Sequence, residues 1–349
     1  MAIKHVRIVG SGLIGTSIGL GLRAKGLSLE MIDSQPEAQK LAQDLVGPHL
    51  GQMADLVIFA LPTGALSQVL DHEFSLNPAS KFIDIGSTKT KPSLEVSTSV
   101  LPSQRFCPTH PMAGREVGGA ESARGDLFMG RPWILSTDGV DPDVVEAALE
   151  VITLLGAVPH QIGVKEHDAA VSLISHLPQI LSSALAAQLP LADERWMELA
   201  GAGLRDTTRI AASDPKLWSE IINFNAAEVS PVLERLIADL MKVHAHLTDV
   251  DTLHDFFVAG NLGVSKIPGK HGGQARNFAK LPIVIEDKPG QLGELFNECG
   301  KANVNVEDLS IEHTPGQFTG LITLSLSSSD ADILFKHLTA SGWNVHSPR

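Results

Sequence analysis

The sequence predicts an α/β Rossmann domain followed by an all-α dimerisation domain and a C-terminal ferredoxin-like (βαββαβ) domain. Three observations carry the prediction. A strand, a glycine loop and a helix open the chain. The strand signal then disappears between about 165 and 262, where apolar residues recur at helical spacing. It returns after a glycine-rich basic segment in the order β-α-β-β-α-β.

Ile3–Val9 is a short apolar strand that runs into Gly10-Ser11-Gly12-Leu13-Ile14-Gly15, and a second strand, Leu29–Ile32, ends in Asp33. G-x-G-x-x-G alone is weak, but here it follows a strand, opens a helix and has an acidic residue 18 positions beyond its last glycine. Gly10 allows the tight turn, Gly12 lets backbone approach a pyrophosphate, and Gly15 permits close helix–strand packing. The amides of the helix start, Leu13 and Ile14 among them, offer positive potential to phosphates. Asp33 is placed to accept the adenosine ribose hydroxyls and to repel a 2′-phosphate, which favours NAD over NADP.

Further strands at Leu56–Leu61, Phe82–Ile85 and Pro132–Leu135, with Arg105–Cys107 as another candidate, alternate with helical segments. Continuous apolar runs in that alternation signal a parallel sheet covered on both faces. Residues 1–164 form this domain. In 165–262, helices are predicted over Ala169–Leu189, Glu194–Ile210, Asp214–Asn225 and Pro231–Leu247. Ser213-Asp214-Pro215 serves as a helix start. So apolar a helical region is expected to bury itself against a second subunit, giving a homodimer or a dimer of dimers. Residues 263–279 are rich in glycine and basic side chains and are predicted to be a linker. In 280–349 the strands are Leu281–Ile285, Val304–Ile311, Leu321–Leu326 and a last one near Trp343–Val345, with helices at Gly290–Ala302 and Ala331–Ser341.

A chain of 349 residues is long for one core. Its formal charge of −13 argues against nucleic acid and anionic membranes as partners, though not against an anionic small-molecule substrate. No apolar run of about 20 residues stands out as a bilayer span, and the chain opens directly on its first strand. Cys107 and Cys299 fall in different predicted domains and are expected to be reduced thiols in a cytoplasm. There are 12 Phe and no Tyr.

The residues with chemical potential lie in mid-chain. Ser87 follows Gly86 just past a strand, at the sheet edge where doubly wound folds bind ligands. Thr109-His110-Pro111-Met112-Ala113-Gly114 places His110 at a neighbouring strand end, and Ile174-Ser175-His176-Leu177-Pro178 puts a second histidine on the first long helix. Gly201–Ile210 is a glycine-broken turn containing Arg205 and Arg209. A histidine near its ordinary pKa is suited to take a hydroxyl proton as hydride leaves carbon. An arginine grips a carboxylate bidentately and stays charged. No set of metal ligands stands out.

Gly10–Gly15, Gly86-Ser87, His110–Gly114, Ser175–Pro178, Arg205–Arg209 and Asp214-Pro215…Trp218, in that order, make the chain resemble the prephenate dehydrogenases, including their arogenate-using relatives. The resemblance covers nearly the whole chain. It implies NAD-dependent oxidative decarboxylation of prephenate to 4-hydroxyphenylpyruvate in tyrosine biosynthesis, or of arogenate to tyrosine. It further implies that His110 acts on the ring hydroxyl with Ser87 beside it, and that Arg209 holds a substrate carboxylate. His176 and Trp218 would line the pocket, while Glu116 and Asp206 would be an acidic pair that interacts with that arginine and gates entry. Gln179 stands where many relatives have His, and Arg115 where many have a small polar residue. The C-terminal segment resembles ACT domains, which implies an aromatic amino-acid effector near Asp287, Pro289 and Gly290. A non-catalytic NAD and amino-acid sensor is the rival of a different class. It would need neither histidine motif.

Overall fold

The computed structural model describes residues 3–51, 53–114, 118–267, 278–286, 288–313 and 319–349. The chain divides into two compact units, Met1–Asp239 and Leu240–Arg349.

The first unit opens with β1 (His5–Val9), α1 (Leu13–Arg23), β2 (Ser28–Ile32), α2 (Pro36–Val46), β3 (Leu56–Phe59), α3 (Leu66–Leu76), β4 (Lys81–Asp84), α4 (Thr90–Ser97) and β5 (Phe106–Pro111). Then come β6 (Pro132–Leu135), α5 (Pro142–Leu154) and β7 (Val158–Gln161). The sheet order is β2-β1-β3-β4-β5-β6-β7. Side chains alternate between its faces. Leu56, Ile58, Ile83 and Cys107 join the core under α1 and α5, while Val57, Phe59, Phe82 and Phe106 join the core under α3 and α4. Apolar residues are needed on both faces, which is why these strands are continuous apolar runs.

The all-parallel expectation is corrected at one edge. β1 to β5 pair parallel, but β6 pairs antiparallel with β5, and β7 runs parallel to β6. Among the described residues only a 3₁₀ turn, Ala120–Ser122, lies between β5 and β6. With no crossover helix, the chain enters the next strand from the same end. β7 is wholly exposed and contains Pro159, so it carries no apolar signature.

Helical residues follow: α6 (Val164–Val171), a π-helical turn (Ser172–His176), α7 (Leu177–Ala186), α8 (Glu194–Met197), α9 (Ala202–Thr208), a 3₁₀ turn (Arg209–Ala212), α10 (Pro215–Phe224) and α11 (Ala226–Ala245). The single helix expected over Glu194–Ile210 is broken between α8 and α9, in a segment ending at Gly201, whose extended backbone caps α9. Val164–Leu191 is long and apolar enough to cross a membrane by length and composition. Sequence inspection did not single it out as a span. It carries buried His167, Asp168 and His176 with hydrogen-bonded partners inside this unit, while Leu173, Ile174 and Leu191 on the same stretch are exposed.

The second unit contains α12 (Val250–Val264), so the helix reaches two residues into the expected linker; residues 268–277 of that linker lie outside the described set. Then come β8 (Ala279–Glu286), α13 (Gln291–Lys301), β9 (Asp308–His313), β10 (Thr319–Leu326), α14 (Ser328–Ala340) and β11 (Asn344–Val345). The sheet order β11-β8-β10-β9, antiparallel throughout, is that of the ferredoxin-like split unit. Its core is Leu281, Ile283, Leu295, Ile322, Leu324, Leu334 and their neighbours. β9 begins at Asp308 rather than Val304. Both cysteines are free and buried, one in each unit, and burial pushes the Cys107 thiol up to about 12.

Candidate active site at the carboxyl edge of the sheet

Two loops rise from the carboxyl ends of β1 and β4. Gly10 has φ +113°, and a Cβ there would stand 2.1 Å from the Ala60 carbonyl oxygen, so only glycine makes this turn. A Cβ on Gly15 would meet the Gly10 carbonyl oxygen at 2.0 Å. Gly12 is different: nothing lies within 4 Å of a Cβ built on it, and it begins α1 with no side chain capping the helix. The first-turn amides of α1 therefore face an open cradle, which fits a pyrophosphate. Asp33, at the end of β2, accepts the Ser11 amide (2.7 Å) and the Gln35 amide (2.9 Å), tying the glycine loop to the strand that would hold a ribose. A carboxylate has lone pairs left for hydroxyls after those two bonds.

A buried polar cluster fills the edge beside that cradle. Asp84, the last residue of β4, receives a short hydrogen bond from Lys89 Nζ and a bond from the Thr109 amide (3.2 Å). Lys89 Nζ also donates to the Thr109 carbonyl (2.6 Å), the residue just before His110. Burial pushes the Asp84 carboxyl up and the Lys89 ammonium down, and each charge is the other's principal compensation.

On the opposite side, Asp168 of α6 accepts the amides of Lys89 and Thr90 (both 2.8 Å) and pairs with His167 Nδ1 at 2.7 Å. Burial opposes its charge, but these hydrogen bonds outweigh it and hold the carboxyl at about 2. His167 Nε2 in turn meets His110 Nδ1 at 2.8 Å. Burial, with His167 and Lys89 adjacent, holds His110 well below the ordinary histidine range.

The π turn then places His176, where Asn225 Nδ2 donates both to its Nδ1 (3.1 Å) and to the Asp168 carbonyl (2.8 Å). Burial lowers His176 to about 4, and the Trp218 ring meets it edge-on with centroids 6.1 Å apart. Because Asn225 Nδ2 is a donor, His176 Nδ1 is the acceptor and neutral His176 carries its proton on Nε2.

The structure thus brings together His110, His176 and Trp218. Ser87 is half-buried in the bend after β4, and no hydrogen bond joins it to His110 among the described residues. Arg209 opens its 3₁₀ turn and is exposed, as is Asp206 on α9. That turn is fastened to α7 by buried Gln179, whose Nε2 donates to the Ile210 carbonyl at 2.9 Å. Arg115, Glu116 and Asp287 lie outside the described residues. Gly290, φ +95°, caps α13 in the second unit, next to Pro289. Sequence reasoning missed Asp84, Lys89, His167, Asp168 and Asn225. One signal was available: Asp84 is a carboxylate inside an otherwise apolar strand.

A glycine cradle on α1, with an aspartate at the end of β2 and a histidine cluster packed on the same sheet edge from the helical region, defines an NAD-dependent dehydrogenase. Residues 9–160 match the prephenate dehydrogenase nucleotide-binding domain, and residues 164–258 the prephenate dehydrogenase dimerization domain. The chain belongs to the prephenate dehydrogenase family. It is 29% identical to a probable prephenate dehydrogenase, NovF, of Streptomyces niveus, over 97% of this chain and 99% of that one. Among solved structures it is similar to the prephenate dehydrogenase of A. aeolicus in complex with hydroxyphenyl propionate and NAD+ (24% identity, TM-score 0.67, covering 76% of this chain and 98% of that one). It is likewise similar to the arogenate dehydrogenase of Synechocystis (26% identity, TM-score 0.64, covering 75% and 99%).

Proposed function

We propose that the protein oxidises and decarboxylates prephenate to 4-hydroxyphenylpyruvate with NAD+ as hydride acceptor, a step of tyrosine biosynthesis. The observation that carries this reading is His110, held neutral at the carboxyl edge of the sheet with its Nδ1 side anchored to a buried network. A neutral imidazole there takes the proton of the ring hydroxyl while hydride leaves the carbon bearing it. Loss of the ring carboxylate as carbon dioxide makes the ring aromatic, and the proton returns from His110 to the phenolic oxygen. The sum therefore releases no proton. When bound, NAD+ supplies the hydride acceptor, and the residues suited to hold it are Gly10, Gly12, Leu13, Ile14, Gly15 and Asp33.

Ser87 is assigned to the hydroxyl beside His110. His176 and Trp218 form one wall of the substrate pocket, Arg209 takes a substrate carboxylate, and Asp206 with Glu116 modulates that arginine. The second reading is arogenate, which differs in an amino in place of a keto side chain; the likeness to the Synechocystis enzyme favours it. NADH production from prephenate and from arogenate, supplied separately, decides between them, and no NADH from either overturns both.

Two further assignments belong to the same reading. Exposed apolar side chains on the helical region, among them Leu173, Ile174, Leu191 and Leu199, support a homodimer built on it, as the match to a dimerization domain suggests. The βαββαβ unit is assigned as an ACT domain sensing an aromatic amino acid around Asp287, Pro289 and Gly290. Tyrosine titrated into the full-chain assay tests the effector. Because Gly290 has positive φ, Gly290→Val strains the turn whatever binds there, so deletion of residues 274–349 is the cleaner variant.

A further inference from the structure

The contacts behind His110 fix more than its position. Asp168 accepts from two backbone amides and from His167, so an ionised Asp168 requires the His167 proton on Nδ1. Neutral His167 then presents a lone pair at Nε2, and the 2.8 Å contact can form only if His110 donates from Nδ1. The proton of neutral His110 is thereby on Nδ1, and its lone pair is on Nε2. Histidine tautomers are commonly set in this way, by the bond made at the other ring nitrogen.

We propose that His167 and Asp168 are positioning residues that lock His110 in the Nδ1–H tautomer and share the positive charge it acquires in the reaction. The proposal rests on His110 being the base of the reading above. As the substrate O–H bond breaks, a new N–H bond forms at His110 Nε2 and the ring becomes an imidazolium. Its Nδ1–H remains bonded to His167 Nε2, and Asp168 stabilises the cation through the His167 ring. When the phenolic oxygen reclaims the proton from Nε2, the chain returns to its starting tautomers. No proton leaves the site, and NAD+, which would take the hydride, is the one co-reactant. Lys89, bonded to Asp84 and to the Thr109 carbonyl, supplies a fixed opposing charge, so the imidazolium gives its proton back readily.

The test uses full-length protein labelled with ¹⁵N at histidine and compares the parent with His167→Gln and His167→Phe. In the parent, NMR should read His110 as protonated at Nδ1 and bare at Nε2. Glutamine offers an amide oxygen to Nδ1–H and an amide donor to Asp168, so His167→Gln should keep the tautomer and lose part of kcat. Phenylalanine offers no acceptor. His167→Phe should release the tautomer and lower kcat roughly 100-fold with KM for NAD+ and substrate changed less than threefold. A purely structural role for His167 would not move the His110 tautomer. A parent with His110 protonated at Nε2, or kcat within twofold of parent in both variants, overturns the relay. The NMR readout needs no substrate. A parent inactive on both substrates would therefore overturn the substrate reading and leave the tautomer to decide the relay.

Discussion

Around His110 the polar groups are buried and mutually bonded before any ligand arrives: Asp84 with Lys89, Asp168 with two amides and His167, Asn225 with His176. The segment from Arg205 to Trp218 is built differently. Arg205, Asp206 and Arg209 are exposed on a short helix and a 3₁₀ turn, and Trp218 is half-buried. The first region is preorganised, which is what a transition-state charge requires, because reorganising dipoles during the reaction would raise the barrier. The second is, in the proposed reading, the mouth of the substrate pocket, where exposed side chains would meet the ligand or a second subunit. Substitutions in the two regions should therefore separate kinetically, with kcat falling in the first and KM rising in the second.

The largest effect is expected at His110. His110→Asn removes the proton acceptor but keeps a polar side chain, and kcat should fall roughly 10²- to 10⁴-fold with both KM values little changed. Steady-state NADH production measures this. A near-normal kcat would hand the proton to another group, with His176 the next candidate. Because burial holds His110 far below the ordinary range, kcat in the parent should stay flat from neutrality well into acid. An inflection near 6.5 would place the titrating group elsewhere.

Acid stability separates the regions next. His176 titrates at about 4 in the fold and near 6.5 when unfolded, so below pH 6.5 the unfolded chain binds the extra proton. Stability is lost from pH 6.5 down to 4, by up to about 3 kcal/mol from this group. Asp168, held at about 2 against 3.8, adds stability above pH 3.8 that is lost as pH falls through 2. Thermal melts should therefore show Tm falling steadily between pH 6.5 and 4, with a shallower slope in His176→Asn. An unchanged slope would mean that His176 is not the buried neutral group described. The same melts on Arg209→Ala should keep the parent slope.

At the mouth, Arg209→Ala should raise KM for the substrate by the equivalent of roughly 1.5–3 kcal/mol, with kcat nearly intact. Arg209→Lys should restore only part, since an ammonium cannot reproduce the guanidinium fork. An unchanged KM would move the carboxylate to Arg205 or Arg115.

The residues of the site were unequally legible in the sequence. Gly10–Gly15 and Asp33 announce themselves through spacing, because a turn and a strand end dictate them locally, whereas His110 and His176 stand out only together, through the family motifs they resemble. Lys89, His167 and Asp168 do not. Their meaning comes from α4 and α6 meeting over β5, a contact between segments some 80 positions apart. The same reasoning explains the misread sheet edge. Strand direction is set by whether a crossover helix intervenes, and nothing in Pro132–Leu135 itself records it. The C-terminal unit was read almost strand for strand, since its two central strands, β8 and β10, largely alternate between buried and less buried positions and so carry a period-two signal.

The smallest effect sharpens the comparison where the regions touch. Gln179 is buried on α7, yet its amide holds the Ile210 carbonyl, one residue past exposed Arg209. Replacing it with leucine keeps the packing volume and leaves that carbonyl without its partner, a loss of about 1 kcal/mol for a neutral hydrogen bond. If the turn serves only to aim Arg209, Gln179→Leu should raise substrate KM a few-fold, leave kcat and KM for NAD+ unchanged, and add nothing further in an Arg209→Ala background. A fall in kcat instead would place Gln179 with the buried histidines rather than with the mouth. Additive effects in the double variant would show that it acts on the substrate independently of Arg209.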